Sequence, residues 1–366
     1  MDTFAFIIHP IDPKRDVSRK FPLLGRLLNE RQIDFFSTFF PPVFISEIEG
    51  ITSQATGKEI KGWFIACPYT PRRMLELPEQ TVYQKIIQTG RLAEKLGAQI
   101  LGLGAFTSVV GDAGVTIAKG LDVPVTTGDS YTVTVAVEAI REAARVMDIP
   151  LSGSTAAVVG ATGAIGQVCA ELLAYHVERL YLIGRREEAL EELRDRIQVH
   201  ARAELVSSTT MDVLADAQLI LTVTSAIRDV IQPKHLQPGS VVCDVARPRD
   251  VSAMVAAARD DILVIDGGMV DVPGPVDFHF NFGFPPGKAY ACMAETIALA
   301  LEGRFEDYTL GKHLTRERVE EIDKISKKHG FRLSGFRSFE REVTLEQIET
   351  VRRNATRSRK VRVAQM

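Results

Sequence analysis

Two stretches of the chain carry residue types at spacings that can do chemistry. The first is Gly160-Ala161-Thr162-Gly163-Ala164-Ile165-Gly166, three glycines at three-residue spacing. It follows the small and β-branched run Ser154 to Val159 and precedes Gln167 to Ala174, which reads as a helix. Between a strand and a helix, the first glycine permits a tight turn, the second lets the backbone approach a pyrophosphate, and the third lets helix and strand pack closely. The helix N-terminus then offers unpaired N–H groups to phosphates. The spacing alone also fits a plain glycine-rich turn; the flanking strand and helix make it a nucleotide-binding loop. Gly160, Thr162, Gly163, Ala164, Ile165 and Gly166 are thus candidate cofactor-binding residues, joined by Thr224 and Ser225 at the end of a later strand.

The second strand of such a fold normally ends in an acid that meets a ribose 2′-hydroxyl. Here it ends Gly184-Arg185-Arg186, with Glu187-Glu188 only afterwards. Guanidinium forks match phosphate oxygens, so Arg185 and Arg186 point to NADPH; the alternative is a solvated arginine pair at a helix start. The other chemical stretch holds Cys292, between Ala291 and Met293 on an expected helix. Lys288, four residues earlier, is expected on the same helix face, and His279 lies upstream; either cation would favour thiolate over thiol. A cysteine in such an apolar helix is otherwise simply packed. A thiolate beside a nicotinamide is the equipment for reducing a thioester: the sulfur takes the acyl group and hydride releases an aldehyde.

Composition bounds what can position these groups. The chain has 366 residues, 45% of them hydrophobic and 25% charged, which is ordinary globular composition. A net charge of −3 gives no basic field for nucleic acid. Cys67, Cys169, Cys243 and Cys292 form no C-x-x-C pair, so neither a metal site nor a disulfide framework is expected. The N-terminus lacks a basic region and a long apolar run, and no apolar run approaches a membrane span. A cytoplasmic location is expected.

In chain order, residues 4–8 read as a strand, about 19–31 as an amphipathic helix, and Phe35 to Phe40 as core or as the wall of an apolar pocket. A hairpin is expected around Gly57, a helix over 80–97, a short buried strand over 99–104, and a helix over 131–147 capped from Thr127-Gly128-Asp129-Ser130. The 104–108 segment is a substrate-side loop or a plain strand-end turn. After the glycine loop, strands at 179–184, 204–206, 218–225, 240–245 and 261–266 alternate with helical stretches, which argues for a parallel sheet. Pro285-Pro286 is expected to open a helix running past Cys292 to Gly303; another covers 315–329, and the 351–362 tail is basic, either solvated or able to steer an acidic partner. The expected fold class is α/β, in three parts: an N-terminal α/β substrate domain (1–150), a Rossmann-type doubly wound parallel sheet (151–272), and a mainly helical C-terminal region carrying the cysteine (273–366).

The ordered set Ile33 to Phe36, Thr56 to Gly62, Pro71 to Leu75, Leu103 to Ser108, Thr126 to Gly128, Gly160 to Gly166, Asp266 to Val270, Ala291 to Glu295 and Lys328 to Phe331 resembles the cyanobacterial-type long-chain acyl-(acyl-carrier-protein) reductases. The glycine loop is shared by many oxidoreductases; the Ala-Cys-x-Ala-Glu segment is more specific. The resemblance implies that Cys292 accepts the acyl group of a fatty acyl thioester, carried on acyl-carrier protein or coenzyme A, and that NADPH reduces it to the aldehyde. Backbone N–H groups of 104–108 are candidate oxyanion donors, and His279 or Lys288 candidate proton-transfer groups. Carrier proteins are acidic, so Arg72, Arg73 or the tail arginines are candidate docking residues, or else ordinary surface charge. Two rival readings stay open. One is an NADP-dependent alcohol or hydroxy-acid dehydrogenase of the shikimate-dehydrogenase type, the other a non-catalytic nucleotide-sensing protein; in both, Cys292 is inert.

Overall fold

The structure is a computed structural model that describes residues 1–226 and 230–365. The chain divides into two compact units, Met1–Tyr131 with Val270–Arg332 and Thr132–Met269 with Leu333–Met366. The crossings thus fall at 131/132, 269/270 and 332/333, where the sequence suggests boundaries at 150/151 and 272/273.

The first unit is built on a five-stranded sheet of β1 (Asp2–Ile8), β2 (Val43–Thr52), β3 (Glu59–Ala66), β4 (Leu101–Leu103) and β5 (Val125–Thr126), in the order β2-β3-β1-β4-β5. β2 and β3 form the hairpin expected around Gly57, and the other pairings are parallel. Parallel strands are covered on both faces and therefore read as continuous apolar runs. Ala5, Ile7, Ile65, Leu101 and Val125 pack with Val82, Tyr83 and Ile86 of the helix Glu79–Leu96. The helix Ala291–Glu302 lies on β1 and β4. Its approach is close: a Cβ on Gly102 would stand 2.2 Å from Thr296 Oγ1.

Three expectations need correction here. The helix expected over 19–31 is three short ones, Pro13–Lys20, Pro22–Leu27 and Glu30–Ser37. Pro22 restarts the chain at a first helical position, and Asn29 with Gln32 forms a capping box that begins another helix. Phe35 and Phe36 are exposed, not core, because Ile33, Asp34 and Ser37 occupy the buried face of their helix, and Phe39 and Phe40 are exposed in the turn that follows it. The helix expected from Pro285-Pro286 begins only at Ala291. Gly287 turns at φ +76°, Lys288–Tyr290 is extended, and Tyr290 is the N-cap.

The second unit holds β6 (Thr155–Val159), β7 (Arg179–Ile183), β8 (Glu204–Ser208), β9 (Leu219–Thr222), β10 (Val241–Asp244) and β11 (Leu263–Asp266). All are parallel, in the order β11-β10-β9-β6-β7-β8. This is the Rossmann-type sheet expected of the sequence. The order reverses between β6 and β9, and ligands bind at the carboxyl ends of strands beside such a reversal. The basic tail is not a loose arm. It forms the helix Leu345–Gln365, with Ile348 and Ala355 buried and Arg359 donating to the Pro238 carbonyl (3.0 Å). The Arg362 side chain lies outside the described residues. No helix among the described residues is long and apolar enough to cross a membrane.

Candidate active site

In the second unit the glycine loop leaves β6 at the sheet reversal. Gly160 has φ +84°, and a Cβ there would stand 2.7 Å from the Val223 carbonyl oxygen, at the end of β9. A Cβ on Gly166 would stand 2.2 Å from the Gly160 oxygen. Both positions therefore require glycine. Gly163 is the N-cap of the helix Ala164–Leu173 and brings no capping side chain, so the first-turn N–H groups, including those of Ala164, Ile165 and Gly166, face outward for phosphates. Such a cradle fits a dinucleotide. Beside it a cleft of about 340 Å³ is lined by Thr162, Gln167, Arg186, Glu192, Leu193 and Arg196. Arg185 and Arg186 are both exposed, Arg186 lining this cleft with Thr162 of the loop, and Arg196, in the last turn of the helix Glu187–Gln198, is a further cation there that the sequence did not single out. Thr224 is tied down: its hydroxyl donates to Asp250 Oδ1 and its N–H to Asp250 Oδ2 (3.0 Å). Ser225 beside it is exposed.

In the first unit Cys292 is the second residue of the helix Ala291–Glu302. The positive end of that helix dipole lies at the sulfur. Two backbone segments close on it. Gly128, at φ +78° after β5, is so near that a Cβ would stand 2.3 Å from Cys292 Cα. Ala105, after β4, holds the sparsely populated pair φ 47°, ψ −122°, and its N–H donates toward the Cys292 sulfur, as does that of Met293. Strain of this kind concentrates at functional sites. Residues 106–108 of the loop are committed. The Phe106 N–H donates to His9 Nε2 (2.9 Å), and those of Thr107 and Ser108 to Gly104 and Ala105 carbonyls. Of residues 105–108, Ala105 is the one whose N–H turns to the sulfur, joined by Met293 from the helix.

The two expected cations are placed differently from the sequence expectation. Lys288 is in the extended segment before the helix, not on its face, and its Nζ pairs with Asp271 (3.3 Å). His279 lies against Glu49 (3.5 Å) and Asp277 (3.3 Å) at the edge of β2. The charges that bear on the thiol are carboxyl groups, Asp129 and Glu295, and burial together with them pushes it up to about 12. Asp129 and Glu295 were missed because Asp129 reads as a helix cap and Glu295 as a charge on a helix. The one signal was the spacing of Cys292 and Glu295, three residues apart and so on one helix face.

Residues 141–266, within the second unit, match the Shikimate / quinate 5-dehydrogenase family. The chain is 34% identical over 310 residues to Aminotransferase PigE of Serratia sp. (strain ATCC 39006), an alignment that covers 83% of this chain and 36% of that protein. It is 30% identical over 345 residues to the long-chain acyl-(acyl-carrier-protein) reductase of Synechococcus elongatus, covering 90% of this chain and 98% of that one. Among solved structures, L-tryptophan dehydrogenase from Nostoc punctiforme aligns at 12% identity with a TM-score of 0.41, covering 98% of this chain and 88% of that one. The chain therefore belongs to the family of the long-chain acyl-(acyl-carrier-protein) reductase, and is an oxidoreductase of the nicotinamide-dependent type.

Proposed function

We propose that the protein reduces a fatty acyl thioester to the aldehyde with NADPH, through an acyl group held on Cys292. The observation that carries this reading is the placement of Cys292 at a helix N-terminus, with the Ala105 and Met293 N–H groups aimed at its sulfur. Those donors favour a developing thiolate. NADPH supplies the hydride when bound. The family relationship supports the thioester as substrate class, and acyl-carrier protein as its carrier, over the alcohol of the rival dehydrogenase reading. The Shikimate / quinate 5-dehydrogenase match falls on the nucleotide-binding unit and so bears on the cofactor rather than on the acyl group.

The test is an aldehyde assay with short and long acyl thioesters on carrier protein and on coenzyme A. Aldehyde formed in step with NADPH oxidation is expected. Reversible oxidation of an alcohol with no acylated enzyme would favour the dehydrogenase reading, and nucleotide binding with no turnover the sensing one.

Preference for NADPH rests on Arg186 and Arg196 lining one cleft beside the loop. Arg186→Ala is expected to weaken NADPH binding about tenfold, the size of one charge-assisted contact, while leaving NADH binding within about twofold. Equal losses for both nucleotides, read by titration calorimetry, would remove the 2′-phosphate assignment.

A further inference from the structure

Cys292 has two buried carboxyl groups beside it, and their partners differ. Glu295 is surrounded by donors. Thr126 Oγ1 and Thr309 Oγ1 (2.9 Å) donate to Oε1, the Tyr131 N–H (2.9 Å) to Oε2, and the Gly128 N–H also reaches the carboxylate. Burial raises the Glu295 carboxyl, and these donors offset that in part. Asp129 begins the next helix, directly after the Gly128 backbone that lies on Cys292, and is 6% exposed. His9 is poorly suited as a base: its Nε2 already accepts the Phe106 N–H, and burial pushes this histidine down to about 4.

The geometry points to Asp129 as the acid–base partner of Cys292. The proposal rests on Cys292 being the acyl acceptor. In the first half-reaction the Asp129 carboxylate takes the Sγ proton as sulfur bonds to the thioester carbon. The bond from that carbon to the carrier sulfur breaks, and the proton passes to the departing thiolate. Between the halves Asp129 takes one proton from solvent, which is the one the overall reduction consumes. In the second half, hydride that bound NADPH would supply reduces the acyl carbon, the carbon–Sγ bond breaks to release aldehyde, and Asp129 gives that proton to the Cys292 thiolate, which restores the starting thiol and carboxylate.

The titration of the group suits both duties. Burial, then the neighbouring Glu295 charge, raise the Asp129 carboxyl to about 7, only partly offset by the Thr127 hydroxyl. Near neutrality it is present both as base and as acid, the condition under which general acid–base catalysis is most effective. The groups that face it are Cys292 and Glu295 from the helix Ala291–Glu302. Tyr308, from the segment after that helix, is pushed up in turn by burial and the Glu321 and Glu295 charges.

The experiment is alkylation of Cys292 by iodoacetamide between pH 5.5 and 9, with the label located by peptide mass and Cys292→Ala as the blank. It needs no thioester, so its outcome is independent of whether the protein reduces one. In the wild type the rate is expected to climb about tenfold through a midpoint near 7, as Asp129 ionises. Asp129→Asn should lose that limb, and Asp129→Glu should restore part of it. A wild-type profile with no inflection between pH 6 and 8 overturns the proposal without any variant. So does an Asp129→Asn protein that melts like wild type and keeps the limb. With thioester in place of iodoacetamide, Asp129→Asn should acylate about a hundredfold more slowly.

Discussion

Cys292→Ala is expected to lower aldehyde formation by about a thousandfold or more, because the variant removes the atom to which the acyl group is transferred. Intact-mass measurement should find no acyl adduct on the variant after exposure to an acyl thioester, where the wild type incubated without NADPH retains one. NADPH affinity should stay within about twofold, since the glycine loop and Arg186 belong to the other unit of the chain. The fold should survive: Cys292 is half-buried and its replacement is small. A variant that still forms aldehyde at the wild-type rate would end the covalent reading. Adduct formation on Cys67, Cys169 or Cys243 would be equally damaging. These three thiols are buried, and burial pushes each above the usual cysteine range.

The second large effect is the converse. Gly166→Ala should weaken NADPH binding by about a hundredfold or more, because its Cβ would stand 2.2 Å from the Gly160 oxygen and 2.9 Å from the carbonyl carbon. Backbone atoms cannot yield as a flexible side chain does, so the loop that cradles the pyrophosphate must shift. Acylation of Cys292 should persist in this variant, at a rate within about threefold of wild type, while aldehyde formation fails. Calorimetric titration with NADPH and mass measurement of the acyl adduct read the two halves separately. Unaltered NADPH affinity in Gly166→Ala would mean that the dinucleotide binds elsewhere.

Together the two variants divide the reaction as the chain divides it: one unit carries the sulfur, the other the nucleotide loop. Asp129 adds a requirement about protons that neither variant probes. Its carboxyl is raised from the ordinary aspartate range to about 7. The base form therefore gains as pH rises through neutrality and the acid form declines, which sets opposite pH limbs for acylation and for aldehyde release.

The glycine loop and its sheet were legible from sequence because their signals are local. Gly160 and Gly166 sit where close backbone contacts forbid a side chain, Gly163 leaves its helix uncapped, and each β-branched run between helices became a strand in the expected succession. Cys292 was legible through its neighbours Ala291 to Glu295. The surroundings of the sulfur were not. Lys288 has helical spacing to Cys292, yet Gly287 and an extended segment place it before the helix, against Asp271. Phe35 and Phe36 have core composition but occupy the outer side of a short helix whose inner face is already filled, and Phe39 and Phe40 follow it exposed. Sequence by itself determined a parallel α/β sheet, a glycine loop between strand and helix with an arginine beside it, and one cysteine worth testing. Only the tertiary structure decided which groups surround that cysteine. Ala105, Gly128, Asp129 and Glu295 come from two strand ends and a helix, and they meet because the parallel strands β4 and β5 bring their carboxyl ends to one edge, a juxtaposition that no local spacing records.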